Sequence, residues 1–415
     1  MPARLLVVER HFPYSGGART ESFVALWPAM GWQVRVLTRD PPSTPFPLDE
    51  VMAGIPAGVE IERVTARRPG EGSGLMPPRL RRGLYRLANR PLPGNEWIGP
   101  ALDASLTDAG AARPNLIYSS SPPESAHEIA LHLRDLWGIP WVMDVRDLFT
   151  QYRGRFSALT PLHAAWARRL EARWYARCNR LIVNTEHHLE RLRERFAIRD
   201  GNTIVIPNGF REDDRRHADR PLLPGPISRD RPLRIGYLGV LSKPANAWQA
   251  TLDGLARVSS LERPILLEIW GRPEPEVTRV AETLGLANSV SFRTPQPHGK
   301  AMEEVATCDC LLVTTASTHG HLVPQKLYNY LALERWVAAL APAGSMVARV
   351  VEMTGAGEVA EPDAAGAARL LEHMQDRIDA GQMQPPIDRT AIETYSRTVH
   401  ARRLSEVFHE VLGNG

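Results

Sequence analysis

The feature that most limits what this chain can fold into is an alternation that occurs twice. Short aliphatic or β-branched runs end in turn residues and are followed by segments of helical period. In the first half the runs are Arg4–Val8, Gln33–Leu37, Leu116–Tyr118, Pro140–Asp144, Leu181–Asn184 and Thr203–Ile206, with helices expected near 20–30 and 124–137. In the second half they are Leu233–Tyr237, Ile265–Trp270, Val290–Phe292, Cys310–Thr314 and Trp336–Leu340, with a helix near 247–258. Strands that alternate with helices build parallel, doubly wound sheets. The stretch 213–232 is polar, proline-rich and without apolar period, which predicts a linker. The expected organisation is therefore an α/β domain over 1–212, a linker over 213–232, a second α/β domain over 233–391 and a terminal helix within 392–415. Two open sheets of this kind predict ligand binding at the carboxyl ends of their strands, in a cleft.

Length and charge exclude several functions. A chain of 415 residues suits two domains. Its net charge of +3 is too small for a nucleic-acid binder that works by bulk charge. Three cysteines without a CxxC spacing predict neither a zinc site nor a disulfide framework, and fit a reducing cytoplasm. The run Leu5–Val8 is too short for a signal peptide, and no run of 18 apolar residues is present to cross a membrane. There is no GxGxxG after the first strand and no Walker A sequence, which disfavours a nicotinamide enzyme and a P-loop ATPase.

Of the 50 basic residues only three are lysines, Lys243, Lys300 and Lys326. Where arginine is the default cation, each lysine asks for a reason. Lys243 follows the first strand of the second half, in GVLSK. Lys326 falls just after Pro324, in the first turn of an expected helix, where a cation opposes the helix dipole. An anion at the same place would relieve that mismatch. Gly16 and Gly17 lie between a strand and a helix, where glycine lets the backbone approach a phosphate. Asp144, Arg146 and Asp147, in DVRD, sit at a strand end and can orient hydroxyl groups, or pair internally.

Several segments in order resemble glycosyltransferase family 4, with the GT-B fold of two Rossmann-like domains. They are FPYSGGARTE, SSSPPES with WVMDVRDLF, LIVNTE and VIPNGF in the first half, and RIGYLGVLSK, LLEIWG and VPQKLYNYLALERWVAAL with GSMVARVVEMTGAG in the second. The resemblance implies sugar transfer from a nucleoside-diphosphate sugar to an acceptor hydroxyl, with retention at the anomeric carbon. It implies acceptor binding in the first domain, donor binding in the second and a last helix that packs back on the first. It further implies a leaving diphosphate that helps to deprotonate the acceptor, so that positioning matters more than a protein nucleophile.

Carried onto this sequence, the donor set is Gly16, Gly17, Gly239, Lys243, Gly271, Arg272, Thr294, Leu322, Val323, Lys326 and Asn329. The amides of Leu322 and Val323 are expected to face phosphate. The family's arginine before the lysine is Val240 here, and its two glutamates eight positions apart are His321 and Asn329. Asn329 can still bond ribose hydroxyls. The expected catalytic set is Lys243, Lys326, His321 and Asp144; the acceptor set is His11, Ser120, Ser121, Arg146 and Asp147. The family's histidine after the third strand is replaced by Ser119–Ser121, and His127 lies too deep in a helix to substitute. No DxD occurs, so no metal and no cofactor beyond the co-substrate are expected. The acceptor class stays open among a glycan, a lipid-linked intermediate and a secondary metabolite. The segment 78–90 has a basic amphipathic pattern that suits peripheral contact with the inner face of a membrane, or packing on the first domain. The lost glutamates motivate an alternative, a non-catalytic protein that binds sugar nucleotides or glycans.

Overall fold

The structure, a computed structural model, describes residues 2–13, 19–40, 52–66, 92–107, 113–151 and 160–413. The chain forms two compact units, Met1–Pro207 with His400–Gly415, and Asn208–Val399.

The first unit is built on seven strands: β1 (Ala3–Val8), β2 (Trp32–Arg39), β3 (Glu60–Val64), β4 (Leu116–Ser121), β5 (Trp141–Val145), β6 (Arg180–Val183) and β7 (Thr203–Val205). Their order is β3-β2-β1-β4-β5-β6-β7, and every neighbouring pair is parallel. Strand alternation sends Leu6, Val8 and Ile117 into one apolar layer and Leu5, Val7 and Tyr118 into the other. The strand order reverses between β1 and β4, the topological switch point at which doubly wound sheets bind ligands. The terminal helix Arg397–Gly413 joins the second layer. The indoles of Trp27 and Trp32 donate to the Ala401 carbonyl (3.2 Å) and to Ser405 Oγ (2.8 Å), and the Phe408 ring lies 5.2 Å from that of Trp27.

The second unit has six strands: β8 (Leu233–Leu238), β9 (Ile265–Trp270), β10 (Val290–Arg293), β11 (Cys310–Thr314), β12 (Trp336–Leu340) and β13 (Gly357–Ala360). They are ordered β10-β9-β8-β11-β12-β13, again all parallel. The two units are thus both doubly wound, with the same order through their central strands.

Two boundaries differ from the sequence expectation. The segment 213–232 is not a linker but part of the second unit. Ile227 is buried in its core, and the Arg231 guanidinium pairs with Asp309 at 2.7 and 3.0 Å. Asp214 and His217, in the turn Glu212–His217, are also buried. Most of the segment is exposed, as its polar composition implies, and these few buried side chains fasten it to the unit. The terminal helix enters the first unit at His400, not at 392, because Ile392 and Tyr395 belong to the second unit's core. Among the described residues no helix is long and apolar enough to cross a membrane. The segment 78–90 lies outside them.

Candidate functional site

In the second unit the candidate site grows from the end of β8. Gly239 has φ +97°, a conformation glycine adopts without strain, and a Cβ on Gly271 would sit 2.4 Å from the Gly239 carbonyl oxygen. The ends of β8 and β9 therefore approach each other closely because two glycines allow it. The loop that follows is pinned. The Glu274 carboxylate accepts the amides of Leu241 (2.7 Å) and Ser242 (2.8 Å), and Asn246 Nδ2 donates to the Val240 and Leu241 carbonyls and to the Tyr237 hydroxyl. Lys243 is carried, exposed, on this fixed loop.

Lys326 reaches the same place from the helix Gln325–Leu333. Pro324 is the residue before that helix, so Lys326 stands second within it, and no side chain caps its amino end. The half-buried Lys326 ammonium rests on the Tyr237 ring, 3.4 Å from its centroid. No carboxylate pairs with it among the described residues. Burial pushes its pKa well below the ordinary lysine value, Lys243 pushes it further down, and Glu274 pulls it partly back. Two of the chain's three lysines thus converge, and their mutual repulsion is opposed by one carboxylate that is already bonded to backbone.

The remaining expected donor residues divide. Arg272 and Thr294 stand exposed after β9 and β10. The His321 ring stacks beside His319, 6.2 Å between centroids. Leu322 corrects an expectation: its amide donates to the His319 carbonyl (3.0 Å) and does not point outward. The adjacent Val323 packs against the core. Asn329 is buried, and its Oδ1 accepts from Gln325, whose Nε2 also holds the Gly209 carbonyl at 2.8 Å. Gly16 and Gly17 lie outside the described residues. Sequence reasoning missed Tyr237, Glu274 and Asn246, whose roles follow only from the loop they fix.

In the first unit the carboxyl ends of β1, β4 and β5 carry a dense polar network. Asp144 is fully buried, and this corrects its expected catalytic role. It accepts from Arg19 at 3.1 and 3.4 Å and from the Tyr118 hydroxyl at 2.5 Å, with Ser120 Oγ at 3.5 Å. Arg19 is itself buried and also donates to the Pro207 carbonyl. The pairing foreseen within DVRD is therefore made to a distant arginine, which leaves no open face for a hydroxyl. Ser120 and Ser121 are buried as well, since β4 runs on through the serines. His127 is fully buried with Nδ1 against Ser119 Oγ (2.8 Å), and burial, with Arg146, lowers its pKa to about 3.

Arg146 is buried and donates to the Ser121 carbonyl (2.8 Å) and to Glu9 (3.2 Å). Asp147, half-buried, follows it. His11 is half-buried beside Arg10, with Nε2 3.1 Å from that guanidinium. Burial, then Arg10, Arg39 and Arg146, lower its pKa to about 4 against the pull of Glu96. Among the described residues no group of three His, Cys, Asp or Glu side chains is placed to hold a metal ion.

The geometry can be set beside known proteins. Residues 16–209 match the family of the glycosyl transferase 4-like domain. No curated protein sequence matches the chain. Among solved structures, sucrose-phosphate synthase from Thermosynechococcus elongatus superposes with a TM-score of 0.68 at 15% identity, over 100% of both chains. HepE from Anabaena, in complex with UDP and glucose, gives 0.65 at 15% identity over 98% of this chain and 100% of its own. A glycosyltransferase from Rickettsia africae gives 0.64 at 13% identity over 100% of this chain and 99% of its own. At such identities the likeness is one of fold, and the fold is GT-B.

Proposed function

We propose that this glycosyltransferase, GT-B in fold and of the family 4 kind, is a divergent retaining member that takes its sugar from a nucleoside-diphosphate sugar without a metal. The observation that carries the reading is the pair Lys326 and Lys243. Two ammonium groups are brought together at the carboxyl end of a doubly wound sheet, beside a helix amino end, with no carboxylate of their own among the described residues. That arrangement is unfavourable empty and favourable around a diphosphate. As the bond between the anomeric carbon and the diphosphate oxygen breaks, negative charge grows on the leaving group. Preorganised cations at that point lower the barrier. A departing phosphate oxygen takes the acceptor hydroxyl proton while the acceptor oxygen bonds the anomeric carbon on the same face.

His321 stands where the sugar side of the donor is expected, and Asn329 where the ribose is expected, with its amide nitrogen as donor. UDP-glucose is the first donor to try, because the HepE structure holds UDP and glucose. The test is incubation of the protein with UDP-glucose, water or simple acceptors serving as the second substrate, with the product anomer followed by NMR. Release of UDP with an α product supports the reading. Binding of UDP-sugars without any turnover would favour the non-catalytic alternative, and an inverted product would overturn retention.

A further inference from the structure

The carboxyl end of the first sheet holds a second concentration of positive charge that the donor reading does not use. Arg10 stands two residues past the end of β1, Arg39 ends β2, and Arg146 follows β5. Arg10 and Arg39 both donate to one oxygen of Glu96, Arg39 at 3.3 Å. Two guanidinium groups thus share one carboxylate, while Arg146 is balanced by Glu9. Arg10, Arg39 and Arg146 exceed these two carboxylates by one charge. The imidazole of His11 lies inside the group, and three arginines act on it against one glutamate.

The cluster is also built. Glu96 is delivered by the turn Asn95–Trp97, which opens at Gly94 with φ +76°. A Cβ on Gly94 would fall 2.9 Å from Arg10 Cδ and 2.7 Å from Ser125 Oγ, so the turn closes over Arg10 only because glycine stands there. The Arg10 and Arg39 side chains are 13% and 20% exposed, recessed but reachable. Recessed guanidinium forks suit the oxygens of a small tetrahedral anion. A flat anionic bilayer would call for charges that stand out from the surface.

We propose that Arg10 and Arg39, beside His11, bind the phosphoryl group of a small phosphorylated acceptor. The proposal rests on the acceptor-side reading of the first domain and gives that acceptor a chemical class. A phosphoryl group would supply the charge that Glu96 alone does not, and would fix the acceptor through an end remote from its reacting hydroxyl.

The test uses the full chain with isotope-labelled histidine, the His11 ring signal being assigned with His11→Gln. The probes are glucose 6-phosphate, inorganic phosphate and glucose, and vesicles containing phosphatidylglycerol. A background carrying Lys243→Met and Lys326→Met removes the donor-side cations. Glucose 6-phosphate is expected to shift the His11 signal saturably in that background, and glucose is expected not to. Arg39→Ala should weaken the shift at least tenfold, and Arg10→Ala comparably, as an independent check should the first variant fold poorly. A missing shift with both phosphates, an equal shift with glucose, or unchanged affinity in both arginine variants would overturn the proposal. Vesicle binding without glucose 6-phosphate binding would overturn it in favour of a membrane contact. UDP stabilisation of the wild-type chain is read in parallel. If it is absent while the His11 shift is present, the donor reading fails and this site stands.

Discussion

In the first domain the ion pair of Asp144 and Arg19, at the sheet's carboxyl end, is closed on itself. Asp144 and Arg19 are almost wholly excluded from solvent, and Tyr118, Ser120 and the Pro207 carbonyl take up their remaining bonding capacity. In the second domain the charge at the equivalent end is left open. Lys326 meets an aromatic face and the charge of a second lysine, and the nearby Glu274 carboxylate is spent on backbone amides. The two domains share strand order, so the difference does not come from topology. It separates charges that serve the fold from charges that wait for a ligand. A buried ion that is fully bonded contributes to one defined structure, and breaking it costs the fold. A cation that is desolvated without a counter-ion costs the empty fold and gains its compensation on binding.

The comparison breaks first at Asp144. Asp144→Ala leaves the Arg19 guanidinium buried and unpaired, and is expected to cost about 3–5 kcal/mol of stability, read from urea denaturation. A loss of turnover with unchanged stability would return Asp144 to the catalytic role that the structure takes from it.

The opposite pattern is expected at the lysines. Lys326→Met and Lys243→Met should each lower turnover by roughly 100–1,000-fold, about 3–4 kcal/mol in the transition state. Apo melting should stay level for Lys243→Met and rise for Lys326→Met, because a desolvated ammonium is removed. The double variant should fall short of additivity, since both groups serve one ligand. Equal turnover in wild type and both variants would mean that these lysines are structural.

A smaller effect follows from His127. Its folded pKa, about 3, lies below the unfolded value near 6.5, so the unfolded chain binds the extra proton first. This contribution is full above the unfolded value and is lost as pH falls toward the folded one. From pH 6.5 to 5.5 the loss approaches about 1 kcal/mol. His127→Gln should flatten that dependence in denaturation curves taken across the interval. His11 adds a change of the same sign. The smallest expected effect is at Asn329, where Asn329→Ala should weaken UDP binding by about 1 kcal/mol, the scale of one hydrogen bond; calorimetry showing no change would remove it from the ribose site.

Much of this was legible in the sequence, and the failures have physical causes. The central strands Ile265–Trp270, Cys310–Thr314 and Trp336–Leu340 read directly, because both faces are buried and the runs are continuous. The edge strands β3 and β13 did not. Glu60–Val64 carries charge on its open face and Gly357–Ala360 is only four residues long, so neither has an apolar run. Lysine scarcity and a helix start were enough to single out Lys326. Tyr237 gave no signal, because an aromatic residue in a strand reads as core. The role of Asp144 was hidden by distance in sequence, since Arg19 stands 125 positions before it. The misread linker and the Leu322 amide share another cause: a polar stretch does not show which few of its groups are tied down, as Arg231 is to Asp309 and the Leu322 amide is to the His319 carbonyl.

The central claim, that the open lysine pair is a diphosphate site, is tested most directly by proton linkage. Lys326 is held toward its neutral form in the empty protein, and an arriving diphosphate favours the ammonium. UDP binding should therefore take up protons as pH rises past the lowered Lys326 pKa, and affinity should fall over that range. Calorimetry in buffers of different ionisation enthalpy measures the uptake. The account predicts uptake in the wild-type chain, and its loss in Lys326→Met together with at least a tenfold weaker affinity. UDP binding of equal strength and equal proton stoichiometry in both proteins would contradict it.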